Sequence, residues 1–289
     1  MSSYATDADR ELCRRIHRRF GTSYYVSTLR FSKEQRTRVH AIYAFVRVPD
    51  EWVDNPGDLS VAERLAKLRY WRCQMHRGIG GERPENPVMR AFCDVALECG
   101  LPIEEADRFL DAMEMDLTVR RYANYGRLRE YMAGSASAVG VLMCYAMRAE
   151  LDEGLLARAR ALGEAMQLTN FLRDIGEDLK RDRIYMPLDE LAAFGVREED
   201  LANGRITPAL RGFMAFQIQR ARDLYAYADP GIDRLPREMR RAVRMASVLY
   251  SRILEAIERN GFDVFTKRAR TGPVAKAWTW VAVSLSLRG

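Results

Sequence analysis

The sequence predicts an all-α protein. Apolar residues recur at helical three- and four-residue spacing along almost the whole chain, and the alternating pattern of strands is scarce. Glycine and proline divide this pattern, most clearly in the Gly/Pro-rich segment 78–87. No linker, low-complexity tract or internal repeat interrupts the 289 residues, so we expect residues 1–289 to form a single helical domain.

The predicted helices follow from these breaks in chain order. Pro49 should kink or break the first helix, and Pro102 should open a later one. Gly195 should end a short helix, and residues 229–231 (Asp-Pro-Gly) should form the turn between the last two. Loop and turn residues are expected at 183–187 and 197–206. The expected helices are 33–54, 60–77, 87–99, 102–122, 128–149, 153–181, 188–194, 208–228 and 236–259.

The composition excludes several classes of function. Hydrophobic residues make up 48% and charged residues 30%, which is typical of a globular protein with a large core. The three histidines and five cysteines lack metal-ligand spacing, so we expect free thiols in a reducing cytosol and no zinc site. The N-terminus lacks an apolar signal region, and no apolar window is long enough to span a membrane, so a cytoplasmic location is expected.

The net charge of +6 suits an anionic partner, which could be nucleic acid, a membrane surface or a substrate. The arginines are dispersed and no nucleic-acid-binding motif occurs, so nucleic acid is not expected. The apolar stretch 278–287 is too short to cross a bilayer, and packing on the protein's own core is favoured there over membrane contact.

Two acidic clusters carry the strongest chemical signal. Each has two aspartates four residues apart in a predicted helix: Asp50 with Asp54, and Asp174 with Asp178. This spacing places both carboxylates of a pair on one helix face, one turn apart. Four carboxylates around a common space repel one another, and hard divalent cations with oxygen ligands relieve that repulsion. A diphosphate can supply the remaining oxygens, so the clusters predict a metal–diphosphate site.

The neighbours of these aspartates distinguish the site from a solvated helix face. Glutamate and lysine dominate most solvated faces, whereas these faces carry arginine, tyrosine and side-chain amides. Arginine binds diphosphate oxygens through two parallel hydrogen bonds. The residues concerned are Tyr43, Arg47, Gln167, Asn170 and Arg173.

At these residues the chain resembles the squalene and phytoene synthase family. The longest match runs from Leu162 to Asp178 and continues through the Arg-x-Tyr-x-Pro sequence at 183–187. A small-residue segment and the lead-in to the first acidic cluster also match. The matching motifs are 23–25, 42–54, 115–122, 131–140 and 162–187.

The resemblance implies an isoprenoid-synthase-type helical bundle around a central cavity, with both acidic motifs at the cavity mouth. It implies that Mg²⁺, or Mn²⁺ in its place, is bound by Asp50, Asp54, Asn170, Asp174 and Asp178. The implied diphosphate-binding residues are Gly21, Thr22, Ser23, Tyr43, Arg47, Gln167, Asn170, Arg173, Lys267 and Arg268. The implied catalytic residues are the four aspartates with the hydroxyls of Tyr131 and Tyr250.

The implied reaction is the Mg²⁺-dependent head-to-head condensation of two geranylgeranyl diphosphates, through a cyclopropyl (prephytoene) diphosphate, to phytoene. The first acidic cluster and its lead-in favour phytoene over the alternative, a squalene or dehydrosqualene synthase using farnesyl diphosphate. No dinucleotide fingerprint is present, so NADPH is not expected. The product is insoluble in water, so contact with the inner membrane face and with downstream carotenoid enzymes is expected.

Three further alternatives are less favoured. A non-catalytic family member would have lost the aspartates, which are all present here. A chain-elongating prenyltransferase or a terpene cyclase would share the metal site but not the Arg-x-Tyr-x-Pro sequence.

The small-residue run 133–140 is compatible both with room for an isoprenoid tail and with close helix packing.

Overall fold

The computed structural model describes residues 3–266, except for the side chains of Thr22 and Ser23. Helices dominate this part of the chain, and its one β-contact is an isolated bridge between Arg121 and Ile184. The all-α prediction is therefore confirmed. The helices are α1 Asp7–Phe20, α2 Thr22–Thr28, α3 Lys33–Asp54, α4 Val61–Ile79, α5 Pro87–Cys99, α6 Ile103–Thr118, α7 Tyr125–Met132, a π-helical segment Ala133–Ser137, α8 Ala138–Ala146, α9 Glu153–Leu179, α10 Leu188–Ala193, α11 Glu198–Ala202, α12 Pro208–Asp233 and α13 Arg237–Arg259.

The first two helices were not among those predicted, although α1 carries clear end signals. Thr6 and Asp9 form a capping box, in which each side chain accepts a hydrogen bond from the other's backbone N–H. The first turn of α1 is acidic and its last turn is basic, which complements the helix dipole. Capping and charge therefore mark both ends of α1 in the sequence.

Two prolines lie inside helices. α3 continues through Pro49 and ends at Asp54. Pro230 lies within α12, so the predicted turn at 229–231 is wrong. Arg158 of α9 explains the second case, because it donates a hydrogen bond to the Tyr227 carbonyl. It also packs on Gly231, where an added Cβ would lie 2.8 Å from the Arg158 Cβ. Tertiary packing here outweighs the local preference of proline and glycine for a turn.

The small-residue run forms close helix contacts. A Cβ on Gly134, in the π-helical segment, would collide with the backbone carbonyl of Arg108 in α6. A Cβ on Gly140 in α8 would lie 2.7 Å from the carbonyl oxygen of Ala159 in α9. Of the two interpretations of this run, close packing is the one observed at these glycines.

Helices α3 and α9 occupy the interior of the bundle. α9 packs against α12, α13, α8 and the π-helical segment, while α3 packs against α1, α5 and α6. The apolar face of α3 is fully buried, and its Phe45 stacks on Phe92 with the ring centres 3.7 Å apart. Leu168 and Leu172 bury the apolar face of α9 in the same way. Burial of each such side chain contributes about 1.5–3 kcal/mol and fixes the orientation of the opposite, acidic faces.

Within residues 3–266, none of the helices has the length and apolar character needed to cross a bilayer.

Candidate metal and diphosphate site

The first acidic motif occupies the last two turns of α3. Arg47 forms ion pairs with Asp50 and Glu51, and its guanidinium lies 4.8 Å from the centre of the Phe20 ring. Burial raises the pKa of Asp50 to about 7, and the negative charge of Asp54 adds to the shift. A carboxyl group held this way gains from a nearby cation.

The second motif lies in the last turns of α9 and repeats this arrangement. Arg173 Nε donates to Asp174 Oδ1 at 2.7 Å. Burial raises the pKa of Asp178 to about 7, with further contributions from the charges of Asp174 and Asp54. The two motifs, 124 residues apart in sequence (178 − 54), lie close together in the fold, because Arg181 and Arg183, just after α9, lie 3.9 and 3.2 Å from Asp54 Oδ1.

Asn170 lies one turn before the second aspartate pair. Its Nδ2 donates to Gln167 Oε1 at 3.4 Å. Its Oδ1 is buried and, within the described part of the chain, has no hydrogen-bond partner. A buried acceptor without a donor is costly, and a cation would satisfy it.

These residues fit a divalent cation that is shared with a diphosphate. Within residues 3–266, no three His, Cys, Asp or Glu side chains converge closely enough to hold a metal ion alone. Mg²⁺ does not require such a cage, because it commonly binds one or two carboxylates together with waters and phosphate oxygens. Asp50 and Asp178, whose pKa values are raised, and the unpaired Asn170 oxygen are groups that a bound divalent cation would stabilise.

Gly21, Thr22 and Ser23, which the resemblance assigns to diphosphate binding, lie at a junction between two helices. Gly21 ends α1, and Thr22 and Ser23 begin α2, so they do not form a free turn. Tyr43 packs directly on this junction, since a Cβ on Gly21 would lie 2.7 Å from the Tyr43 ring. Burial raises the pKa of Tyr43 to about 12, and Tyr250 of α13 lies near enough to interact with it electrostatically.

Lys267 and Arg268, the two remaining cations predicted for the site, lie outside the described residues.

Tyr131, which the resemblance implies is catalytic, belongs to a buried polar cluster whose other members, Asp116, Arg183 and Tyr185, had no predicted role. Its hydroxyl donates to Asp116 Oδ2 at 3.0 Å, and the Tyr185 hydroxyl donates to Asp116 Oδ1 at the same distance. Arg183 donates to the Asp116 carbonyl at 3.0 Å and to Asp54 Oδ1 at 3.2 Å. The sequence signals for this cluster were the 115–122 and 183–187 motifs, which resemblance alone left without a role.

A recess beside this cluster adjoins the second acidic motif. Its enclosed volume is only about 10 Å³. Phe171, Ile175 and Leu179 of α9 supply apolar walls, while Asp178 and Arg183 supply charge. The enclosed volume is that of about one water molecule, so the recess as it stands does not accommodate a hydrocarbon chain.

Comparison with known proteins agrees with this geometry. Residues 17–274 match the family model for squalene/phytoene synthase. The chain is 37% identical to a 15-cis-phytoene synthase of Synechococcus elongatus, over 90% of this chain and 87% of that protein. It is 38% identical to a phytoene synthase of Arthrospira platensis, over 93% and 90% of the two chains.

Solved structures show the same fold. A dehydrosqualene synthase superimposes with a TM-score of 0.89 and 25% identity, covering 97% of both chains. A squalene synthase from Alicyclobacillus acidocaldarius gives 0.82 and 28%, covering 89% of this chain and 95% of that one. The family model, the identities and the fold confirm the resemblance read from the motifs: the chain belongs to the squalene/phytoene synthase family.

Proposed function

We propose that this prenyltransferase joins two molecules of geranylgeranyl diphosphate head to head, through a cyclopropyl diphosphate, to give phytoene and two diphosphates. The observation that carries the proposal is the pair of aspartate motifs on α3 and α9, each beside an arginine, which Arg183 brings together through its contact with Asp54 at 3.2 Å. The identity of over a third with phytoene synthases, along most of both chains, supports the twenty-carbon substrate.

The family depends on divalent metal, and we assign Mg²⁺ here, with Mn²⁺ as a substitute. The ion supplies Lewis-acid chemistry, because it neutralises the diphosphate and makes it a leaving group. The unpaired Oδ1 of Asn170 supports its place in the ligand set. The proposed ligands are Asp50, Asp54, Asn170, Asp174 and Asp178.

Other residues of the chain bind and orient the diphosphates. Arg47 and Arg173 pair with aspartates of their own motifs, and each has further N–H groups to offer to diphosphate oxygens. The Tyr43 hydroxyl is protonated at neutral pH, as an ordinary tyrosine with a pKa of about 10 would be, and can donate a hydrogen bond to an anion. Gln167 and the start of α2 at Gly21 complete the proposed set within the described residues, and Lys267 and Arg268 are proposed to add positive charge.

The reacting carbons need protection from water and a polar group near the developing positive charge. Tyr131 is buried, and its proton is engaged by Asp116, so the lone pairs of its oxygen remain for a carbocation. Phe171 and Tyr185 stack beside it with ring centres 4.2 Å apart and exclude water. Tyr250, near Tyr43, is proposed to provide a second hydroxyl.

The reaction is proposed to end by proton loss, without NADPH. A second candidate is condensation of farnesyl diphosphate, which the likeness to dehydrosqualene and squalene synthase structures favours. Because the hydrocarbon product is insoluble in water, we place the enzyme in the cytoplasm, against the inner membrane face, with downstream carotenoid enzymes as partners. We also propose that residues 1–289 act as one domain.

The test is product analysis with each substrate offered separately. We expect diphosphate release and a C40 hydrocarbon from geranylgeranyl diphosphate with Mg²⁺, and neither after addition of EDTA. A C30 product from farnesyl diphosphate alone would select the second candidate. The proposed function is rejected if EDTA leaves turnover unchanged, or if no prenyl diphosphate is turned over.

A further inference from the structure

Arg183 connects the first acidic motif to a buried aspartate. Its side chain is only 7% exposed. Nη1 donates to Asp54 Oδ1 at 3.2 Å, and Nη2 donates to the backbone carbonyl of Asp116 at 3.0 Å. One guanidinium therefore joins the C-terminal residue of α3 to the end of α6.

The backbone holds Arg183 firmly in this place. Asp182 just before it adopts a left-handed conformation (φ 56°) that ends α9, and the Arg183 N–H bonds back to the Asp178 carbonyl at 2.9 Å. On the other side, Ile184 N–H donates to the Arg120 carbonyl at 2.9 Å. The segment after α9 is thus attached both to its own helix and to the segment after α6.

Asp116 provides the counter-charge that a buried arginine requires. Its side chain is 7% exposed, and its Oδ2 lies 3.7 Å from Arg183 Nη1. Hydrogen bonds from Tyr131 and Tyr185 hold the two oxygens of this carboxylate. Since an unpaired buried charge is strongly unfavourable, the position of Arg183 is determined by Asp116 whether or not Asp54 is present.

In this network, the contact between Arg183 and Asp54 is consequently the one that can change. Asp54 is the last residue of α3, and its side chain is 31% exposed. Arg183 and the more distant Arg181 both approach Oδ1 of Asp54, at 3.2 and 3.9 Å. Contact at that one oxygen leaves the other available to a cation.

We propose that Arg183, anchored by Asp116, is a positioning residue that orients the Asp54 carboxylate toward the divalent cation and diphosphate. This inference rests on the proposed function, because it concerns the same site. Partners that orient metal ligands commonly change metal affinity by about 10–100-fold when they are removed. Loss of the Arg183 guanidinium is expected to weaken metal affinity by a factor in this range.

The test measures binding and activity separately in Arg183→Lys. A lysine has a single ammonium group and cannot reach Asp54 and the Asp116 carbonyl together in the way that a guanidinium does. Titration calorimetry with inorganic diphosphate at fixed Mg²⁺ should show affinity weakened by about 10–100-fold. The Mg²⁺ concentration that gives half-maximal turnover should rise by a similar factor, while helical circular dichroism is retained.

Arg90→Lys is the matched control. Arg90 also forms a buried pair with an aspartate, its Nη2 lying 2.7 Å from Asp9 Oδ1, and it also donates to a backbone carbonyl, that of Glu85. This pair joins α1 to α5, and neither residue belongs to the proposed site. The control variant should lower the melting temperature and leave diphosphate affinity unchanged, which separates positioning from general stability.

Asp116→Asn is the second variant, since it removes the anchoring charge but keeps the side-chain shape. It should also weaken binding of diphosphate with Mg²⁺. If wild-type protein fails to bind diphosphate with Mg²⁺, the proposed function fails. If wild type binds and Arg183→Lys binds within about twofold of it, the positioning role is wrong. If neither variant folds, the pair serves the fold rather than the site, and the inference is equally overturned.

Discussion

A buried pair of histidines should make this protein lose stability in mild acid. His17 of α1 and His40 of α3 face each other with their Nδ1 atoms 2.8 Å apart. Their residues are 0% and 5% exposed. Because one nitrogen must donate and the other must accept, the contact requires at least one of the two rings to be uncharged, and it is lost when both are protonated.

The surroundings of the pair oppose protonation. Burial lowers the pKa of His17 to about 3, and the neighbouring His40 contributes. Burial also lowers the pKa of His40 to about 4, assisted by the positive charges of Arg14 and Arg36 and opposed by Glu11. Three aromatic rings complete the surroundings of His17 or His40: Tyr24, Tyr25 and Tyr43.

The direction in which stability changes with pH follows from the number of protons that each state binds. In the unfolded chain both histidines titrate near their ordinary pKa of about 6.5, so below this pH the unfolded state binds protons that the folded state excludes. Stability therefore falls as the pH falls below about 6.5, and the loss ends only near the folded pKa values of about 3 and 4. Between pH 7.5 and 5.5 each histidine should cost about 1.4 kcal/mol, or roughly 2.7 kcal/mol for both.

The assay is denaturant unfolding followed by circular dichroism at pH 7.5 and pH 5.5, at constant ionic strength and without metal. Comparison with His40→Gln removes the contribution of every other titrating group. This variant has one fewer buried histidine, so its loss of unfolding free energy should be smaller than that of wild type by about 1.4 kcal/mol.

The third histidine of the sequence, His76, provides the control. Its side chain is 52% exposed and contacts Asp107 at 3.0 Å, so His76→Gln should behave like wild type in this comparison. The reasoning is refuted if wild type and His40→Gln lose the same unfolding free energy between pH 7.5 and 5.5. It is also refuted if His76→Gln shows the same smaller loss as His40→Gln.

Further expectations concern the site and the packing. Asp54→Ala and Asp174→Ala should each lower the turnover of prenyl diphosphate by several orders of magnitude while helical circular dichroism is retained; near-wild-type turnover in either would contradict its role as a ligand. Gly134→Ala should lower the unfolding free energy by about 1–3 kcal/mol, because its methyl group would collide with the backbone of α6. Gly212→Ala in α12 is its control: the methyl group would meet an aromatic carbon at 3.5 Å, and helix propensity should raise stability by up to about 1 kcal/mol. Equal melting temperatures for the two glycine variants would show that the close contact is unimportant.

The helices that could be predicted were those with strong local boundaries. The predicted helix 87–99 coincides with α5, where Asn86 caps the first turn and Gly100 ends the helix in a left-handed conformation. The predicted turn at 229–231 was wrong because contact with Arg158 keeps the chain helical. The π-helical segment follows from backbone contact with α6 at Gly134, which periodicity does not encode.

The site could be predicted as far as residues share one helix face. The four-residue spacing identified both aspartate pairs and the arginines beside them, because neighbours on a helix are fixed by sequence distance. The cluster around Asp116 joins α6, α3 and the segment after α9, and no periodicity relates residues on three elements. Apart from Tyr131, its members were marked in the sequence only by membership of two motifs, 115–122 and 183–187, with no assigned role.

The arginines of the site divide into two kinds, and the division follows from burial. Arg47 and Arg173 are 27% and 17% exposed, and each pairs with carboxylates of its own motif, so a bound cation can replace them and release them to the diphosphate. Arg183 is 7% exposed and is bound to a backbone carbonyl, which no cation can displace. In the proposed reaction Arg47 and Arg173 therefore bind the diphosphate of the substrate, while Arg183 stays in place and keeps its contact with Asp54. Substitution of Arg47 should accordingly weaken diphosphate binding directly, whereas substitution of Arg183 should act through the metal, and the dependence of turnover on Mg²⁺ concentration distinguishes the two.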